Sequence, residues 1–217
     1  MRVRVQFAKT EAMKYTGHLD LFRTWERTIR RASLPLSYSQ GFRPHPRLNL
    51  AAALPLGFTS DCELLDIWLE QDEELEEIKT ALIGAAPPGI DVISVEPIDP
   101  HAPSLQSIVE SAEYLILIQP LAGLSLRVES ILSKDTLLRR WRDKAYDLRA
   151  LIHKLEFIGE DEGGRQRLIA LLSAREGGTA RPEEVILALG GEPTTSQVHR
   201  SRLVFRLEPV CDPPAPE

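Results

Sequence analysis

Hydrophobic and polar positions alternate from the start of the chain: Val3, Val5 and Phe7 stand between Arg2, Arg4 and Gln6, the period of a half-buried strand. From His18 the period changes. Leu19, Phe22, Trp25, Ile29 and Ala32 recur at helical spacing, with Asp20 in the first turn and Arg30 and Arg31 in the last, as the helix dipole favours. Arg23, Arg27 and Arg30 fall on a second stripe of the same helix. Alternation returns at Leu48, Leu50, Ala52 and Leu54, residues 55–60 read as a turn, and residues 62–69 read as the next strand. Residues 73–84 predict a second amphipathic helix with Leu75, Ile78 and Leu82 inward, stopped at Gly84, and residues 90–95 a last strand. The order strand, helix, strand, strand, helix, strand is that of a ferredoxin-like, or split βαβ, unit.

Prolines at 97, 100 and 103 then interrupt the pattern, after which the plan repeats. Residues 114–119 predict a strand, 126–132 a helix, and 145–158 and 165–173 two strands about the turn at Glu160, Asp161, Glu162, Gly163 and Gly164. Pro182 with Glu183 and Glu184 opens a helix that Gly190 and Gly191 close, and residues 200–207 complete the set. The expected fold class is α+β: tandem ferredoxin-like units with antiparallel sheets. The expected domains are 1–99, a linker at 100–110, 111–210, and a disordered tail at 211–217.

The 217 residues are 43% hydrophobic and 27% charged, the balance of a folded soluble protein. No apolar run approaches the roughly 20 residues of a membrane helix, and the N-terminus lacks the apolar segment of a secretory signal, so a cytoplasmic protein is expected. Cys62 and Cys211 are too few and too far apart for an iron–sulfur or Cys-rich zinc site. The net charge of -6 is unevenly spread. Residues 1–60 hold ten Lys/Arg against three Asp/Glu, and the rest sixteen against twenty-nine, giving +7 and -13. A basic N-terminal part points to an anionic partner, nucleic acid first, or to the chain's own acidic run at residues 72–77.

Chemistry concentrates in residues 15–57. After the basic helix, Leu34 and Pro35 end the periodicity, and Ser37, Tyr38, Ser39, Gln40, Gly41, Phe42, Arg43, Pro44, His45 and Pro46 follow, rich in groups that donate, accept or stack. Arg23, Arg27, Arg30, Arg43 and Arg47 are candidate phosphate or partner contacts, with Gln40 and His45 beside them. Tyr38 and Phe42 are candidate faces for unpaired bases. His18, Asp20 and His45 do not have the spacing of a metal site, since His18 and Asp20 fall on different helix faces. No metal or other cofactor is expected in this chain, and no Walker or Rossmann glycine loop is present. His101, His153 and His199 have no partners at diagnostic spacing.

The run Gly17-His18-Leu19-Asp20, with Arg23, Glu26-Arg27, Arg30-Arg31-Ala32, Leu34-Pro35, Tyr38-Ser39-Gln40-Gly41-Phe42, Pro44-His45-Pro46, Leu54-Pro55-Leu56-Gly57 and Glu63, resembles the signature of the radical-SAM-linked protein family. Asp147-Leu148-Arg149, Arg181-Pro182-Glu183-Glu184-Val185 and His199-Arg200 resemble its later motifs, so the likeness covers nearly the whole chain. The family is a domain of unknown function found alone or joined to the C-terminus of B12-binding radical SAM proteins. This chain departs from it at Gly17, where a serine is expected, and at Arg47, where a lysine is expected. The first change removes a hydroxyl cap and the second keeps the charge.

The chain lacks a three-cysteine cluster motif, so the resemblance implies an accessory to a radical SAM partner and not the catalyst. The expected function is an RNA-binding, substrate-recognition module in RNA modification or processing. Ferredoxin-like sheets often serve RNA, and that step is an analogy of fold. Two alternatives stand beside it. One is a protein-docking scaffold whose arginines meet an acidic surface of the partner. The other is a metal-independent RNA-processing enzyme with His18 and His45 as an acid/base pair; otherwise no catalytic residue is assigned.

Overall fold

Strand β1 (Arg2–Lys9) divides the chemistry of the N-terminal half by side. Val3, Val5 and Phe7 point to one face and are fully buried, while Arg2 and Arg4 point to the other. On the apolar face pack α1 (His18–Arg31) and α2 (Leu75–Ala85), through Leu21, Trp25 and Ile29 of the first and Ile78 and Leu82 of the second. Phe7 and Trp25 meet edge to face at 4.8 Å, the geometry in which aromatic quadrupoles attract. β2 (Leu48–Leu50), β3 (Phe58–Trp68) and β4 (Ile90–Ile98) complete an antiparallel sheet in the order β2–β3–β1–β4. This is the expected ferredoxin-like unit.

The computed structural model describes residues 1–141 and 144–206, in two compact units that meet in sequence between Val109 and Glu110. The tail expected at 211–217 lies outside the described residues. The second unit repeats the plan. After α3 (Leu105–Ile108) it contains β5 (Val109–Ile118), α4 (Leu124–Leu132), β6 (Leu138–Trp141), β7 (Lys144–Asp147), β8 (Ile152–Glu160), β9 (Gln166–Arg175), a short β10 (Gly178–Thr179), α5 (Pro182–Leu189) and β11 (Gln197–Phe205). Its sheet runs β8–β9–β5–β11, the same permutation of second, third, first and fourth strands. Gly190, at φ 84°, ends α5 in the left-handed conformation that glycine adopts freely.

Two expectations change. Residues 145–158 are not one strand: the chain breaks after β7, buries Leu148, turns through residues 149–151 and starts again as β8. β7 instead pairs with β6, whose residues carry no alternation that would reveal a strand. The other change concerns residues 100–110, read as a linker from their prolines. Here α3 (Leu105–Ile108) buries Leu105 and Ile108 and packs on β2 and β3, so the segment belongs to the first unit up to Val109.

Arg2 fixes that strap. Its guanidinium donates to the backbone oxygens of Asp99, Ala102 and Pro103, and to the carboxylate of Asp66 at 2.6 and 3.2 Å. Arg4 reaches the same carboxylate at 2.7 and 3.0 Å. Asp66 is 0% exposed, Arg2 2% and Arg4 7%, so two cations share one carboxylate away from water. Such a cluster holds only because every charge has partners.

Replacing Asp66 with alanine leaves two buried guanidinium groups without their anion and is expected to lower unfolding stability by about 3–5 kcal/mol. Asp20→Ala, which removes the exposed pair with Arg23, should stay within about 0.5 kcal/mol. Urea unfolding of both variants measures the difference, and equal losses would contradict this assignment.

Candidate functional site

Between α1 and β2 the chain leaves the body of the first unit and returns. Ser33, at φ 57°, ends α1 in a left-handed turn, and Leu36 bridges to Leu69 beyond the end of β3. Residues 37–47 then form a narrow tongue. Its two arms are closed by bonds from Arg47 N to Ser37 O at 2.9 Å and from Ser39 N to His45 O at 2.8 Å. A further bond runs from His45 N to the hydroxyl of Ser39 at 2.9 Å. Its root is tied to β3 by Ser37 N donating to Trp68 O, and Trp68 N donating to Arg47 O. Gly41, at φ 132°, allows the reversal at the tip.

The candidate residues divide between root and tip. Tyr38 is half-buried against the α1 core and its hydroxyl accepts from Arg30 at 2.9 and 3.2 Å, so it anchors the tongue more than it offers a free face. Arg30 also pairs with Glu26 at 2.8 Å. The Tyr38 hydroxyl first, and then Glu26, raise its pKa above the ordinary guanidinium value. Arg47 is exposed and lies over the Trp68 ring at 5.0 Å, while Arg2 lies over the same ring at 4.7 Å. Gln40, Phe42, Arg43 and His45 are exposed, and Phe42 is wholly so. Residues 37–47 contain Arg43 and Arg47 and no acid.

On α1, Arg23, Arg27 and Arg30 are all exposed along a row about 10 Å long at 1.5 Å per residue. Arg23 is loosely paired with Asp20 at 3.4 Å. Arg27 has no ion-pair or hydrogen-bond partner among the described residues. The row therefore offers one uncommitted cation and two that have carboxylates of their own.

His18 and His45 are not brought together. β1 begins beside the tongue, with Arg2 opposite Trp68, and ends at Lys9, whose ammonium donates to the carbonyls of Lys14 and Phe58 near His18. At about 3.3 Å per residue its eight residues hold these ends roughly 23 Å apart. An acid/base pair needs both groups within reach of one reacting centre, so this arrangement does not support the enzyme alternative. No group of three or more His, Cys, Asp or Glu suited to a metal occurs among the described residues.

The sheet face that ferredoxin-like RNA binders leave open is closed over β1 and β3 in this unit, while Glu96 of β4, opposite Arg4, is exposed. Arg2, Arg4, Cys62, Leu64 and Asp66 on that face are all buried, and the strap lies over it. The sequence pattern does not reveal Trp68 as the seat of Arg47 or Ser39 as the acceptor that closes the tongue. The only available signal for either was proximity to the loop.

Fold and site together define a two-unit α+β protein that presents a cationic, aromatic-tipped tongue from its first unit. The chain belongs to the family described as "Uncharacterized protein conserved in bacteria" (DUF2344), whose match covers residues 2–182 and so extends through both units into α5. No curated protein matches the sequence. Among solved structures, a Cbf5-Nop10-Gar1 complex is similar with a TM-score of 0.49 at 12% identity, over 93% of this chain and 48% of that one. An archaeal box H/ACA sRNP Nop10-Cbf5 complex is similar with a TM-score of 0.44 at 10% identity, over 92% and 47%. The chain spans about half the length of those chains. No helix among the described residues is long and apolar enough to cross a membrane.

The exposed tip makes limited proteolysis a test of this geometry. Chymotrypsin should cut first after Phe42, while the segment at residues 99–108, held by Arg2 and by buried Leu105, resists. First cleavage within residues 97–108 would restore the linker reading.

Proposed function

We propose that this protein is an RNA-binding, substrate-recognition module whose contact element is the tongue. The observation that carries the reading is Phe42, a large aromatic side chain held fully in solvent at the tip of a segment rooted by four backbone bonds to itself and to β3. Exposing a phenylalanine this way loses hydrophobic stabilisation, and an unpaired base stacked on its ring recovers it, at about 1–3 kcal/mol per base. Arg43 beside it, Arg47 on Trp68 and Arg27 on α1 supply charge for phosphates. With the sheet face covered over β1 and β3 and acidic at the exposed Glu96 of β4, RNA meets this unit at its edge. As a non-catalytic module it would serve an enzyme that modifies or processes the RNA, and the sequence's resemblance to radical-SAM-linked proteins is what favours a radical SAM enzyme as that partner.

A second reading, a docking scaffold for the radical SAM partner, is favoured by a separate observation. At the opposite end of the unit Tyr15, Leu19 and Leu56 are 77%, 72% and 61% exposed, and the bond from Gly57 N to Lys14 O sets Tyr15 and Leu56 on neighbouring strands of chain. Exposed apolar groups gathered in one region fit a protein surface better than phosphates. The two readings use different ends and are compatible.

The test is a titration of single-stranded RNA at several salt concentrations. Phe42→Ala should weaken binding roughly 5- to 150-fold with an unchanged salt slope, because stacking releases few counterions. Arg27→Gln and Arg43→Gln should each lower the slope by about 0.7. Parental affinity and slope in all three variants would overturn the tongue as an RNA contact. Loss of a co-purifying protein from a Tyr15→Ser, Leu56→Ser variant that still binds RNA would establish the second surface.

A further inference from the structure

In the second unit the connection between α4 and β8 also leaves the body, as the hairpin of β6 and β7. This is the place in the βαββαβ order that the tongue occupies in the first unit, between the first helix and the second strand. Among the described residues β6 and β7 pair only with each other, Leu138 opposite Asp147 through Trp141 opposite Lys144, and form a sheet of their own. A lone two-stranded hairpin is marginal in water, so its base requires fastening.

The fastening is provided by the motif Asp147-Leu148-Arg149. Asp147 accepts from the amides of Leu137 and Arg149 at 2.8 and 3.0 Å, and Leu148 N donates to Leu137 O at 2.9 Å. Buried Leu148 pins the exit. Arg149 donates to Leu132 O at the end of α4 and to Ile152 O at the start of β8, at 3.2 and 3.0 Å. On the other side, Tyr146 rests near the start of α5: burial, then Glu184, raise its phenol above its ordinary range, against the opposing charges of Arg181 and Arg139. The side chains of Asp147, Leu148 and Arg149, which the tongue does not use, thus mount the hairpin.

What they mount is cationic. Residues 138–147 contain Arg139, Arg140, Arg142 and Lys144 against Asp143 and Asp147, and Asp147 is spent on the base. Arg140 and Lys144 are exposed, as is Leu138. The surrounding chain has the opposite balance: outside the hairpin, residues 110–217 hold eleven Lys/Arg against fifteen Asp/Glu. Within this acidic half, Arg140 and Lys144 have no side-chain ion pair or hydrogen bond among the described residues, so the hairpin's exposed charge is open to a polyanion.

We propose that the β6–β7 hairpin is a second RNA-contacting element, in which Arg140 and Lys144 bind backbone phosphates. It rests on the reading of the protein as an RNA-binding module and assigns the second unit a share in it. Each unit then offers RNA the same connection, one bearing an exposed aromatic ring and the other exposed cations.

The full chain carrying Arg140→Gln and Lys144→Gln, titrated with single-stranded RNA against salt, tests this. Both positions are exposed, and circular dichroism and thermal unfolding check that the fold is kept. Affinity should fall at low salt, and the slope of log affinity against log salt should fall by about 0.7 for each phosphate no longer neutralised. The charge-conserving variant Arg140→Lys, Lys144→Arg should keep both, because binding a phosphate needs charge and not a particular cation. If the parent binds RNA and the glutamine variant keeps its affinity and slope, the hairpin does not touch RNA and the tongue stands alone. If the parent binds no RNA while folded, the functional reading itself fails, and this inference with it.

Discussion

One carboxylate, that of Asp66, sets the layout of the first unit. It lies on β3 opposite Arg4 and accepts from both Arg2 and Arg4, so two neighbouring strands are tied by charge on the face where they would otherwise meet water. Arg2 then has donors to spare and uses them on the strap, while its plane covers Trp68. Trp68 in turn carries Arg47 and the two backbone bonds that root the tongue. A buried ion cluster of this kind adds little stability over an apolar replacement, but it is intolerant of losing a member. The candidate binding element is therefore coupled to a charge cluster on the far side of the sheet.

That coupling explains why a ferredoxin-like unit puts its exposed chemistry at an edge. The usual open face is consumed by the ion cluster and by the strap that completes it. The α1 row and the tongue still offer exposed cations, and most of the row is already neutralised by Asp20 and Glu26. The tongue, with no acid in its sequence, keeps its charge.

The period-2 and period-3.6 patterns made the βαββαβ order legible in both halves, because Val3, Val5 and Phe7, or Trp25 and Ile29, must each bury one face, although Leu19, placed on the helix's apolar stripe by its spacing, is exposed and Leu21 is buried instead. Arg2 and Arg4 misled for the same reason: alternation marks them as solvent-facing, and only a partner 64 residues away for Arg2 and 62 for Arg4 turns that face inward. The prolines at 100 and 103 suggested a loose crossing, whereas the segment's carbonyls satisfy Arg2. The residue types of the tongue were evident in the sequence, but their division into root and tip was not. Nothing local distinguishes Tyr38, whose hydroxyl is held by Arg30, from Phe42, which touches little. The β6–β7 hairpin escaped because its short strands lack alternation and its stability comes from Asp147 and Arg149 at the base.

The strap also has a consequence for the birth of the molecule on the ribosome. Arg2 is made before its acceptor at Ala102, which lies 100 residues later in the chain. At about 5–20 residues per second, β1 waits for several seconds with its guanidinium groups solvated, and the ribosomal tunnel delays the meeting further. During that interval the strands can pair and the helices can cover Val3, Val5 and Phe7, but the other face of the sheet stays open and charged. Closure of the first unit is thus timed by the emergence of the segment that leads directly into the second.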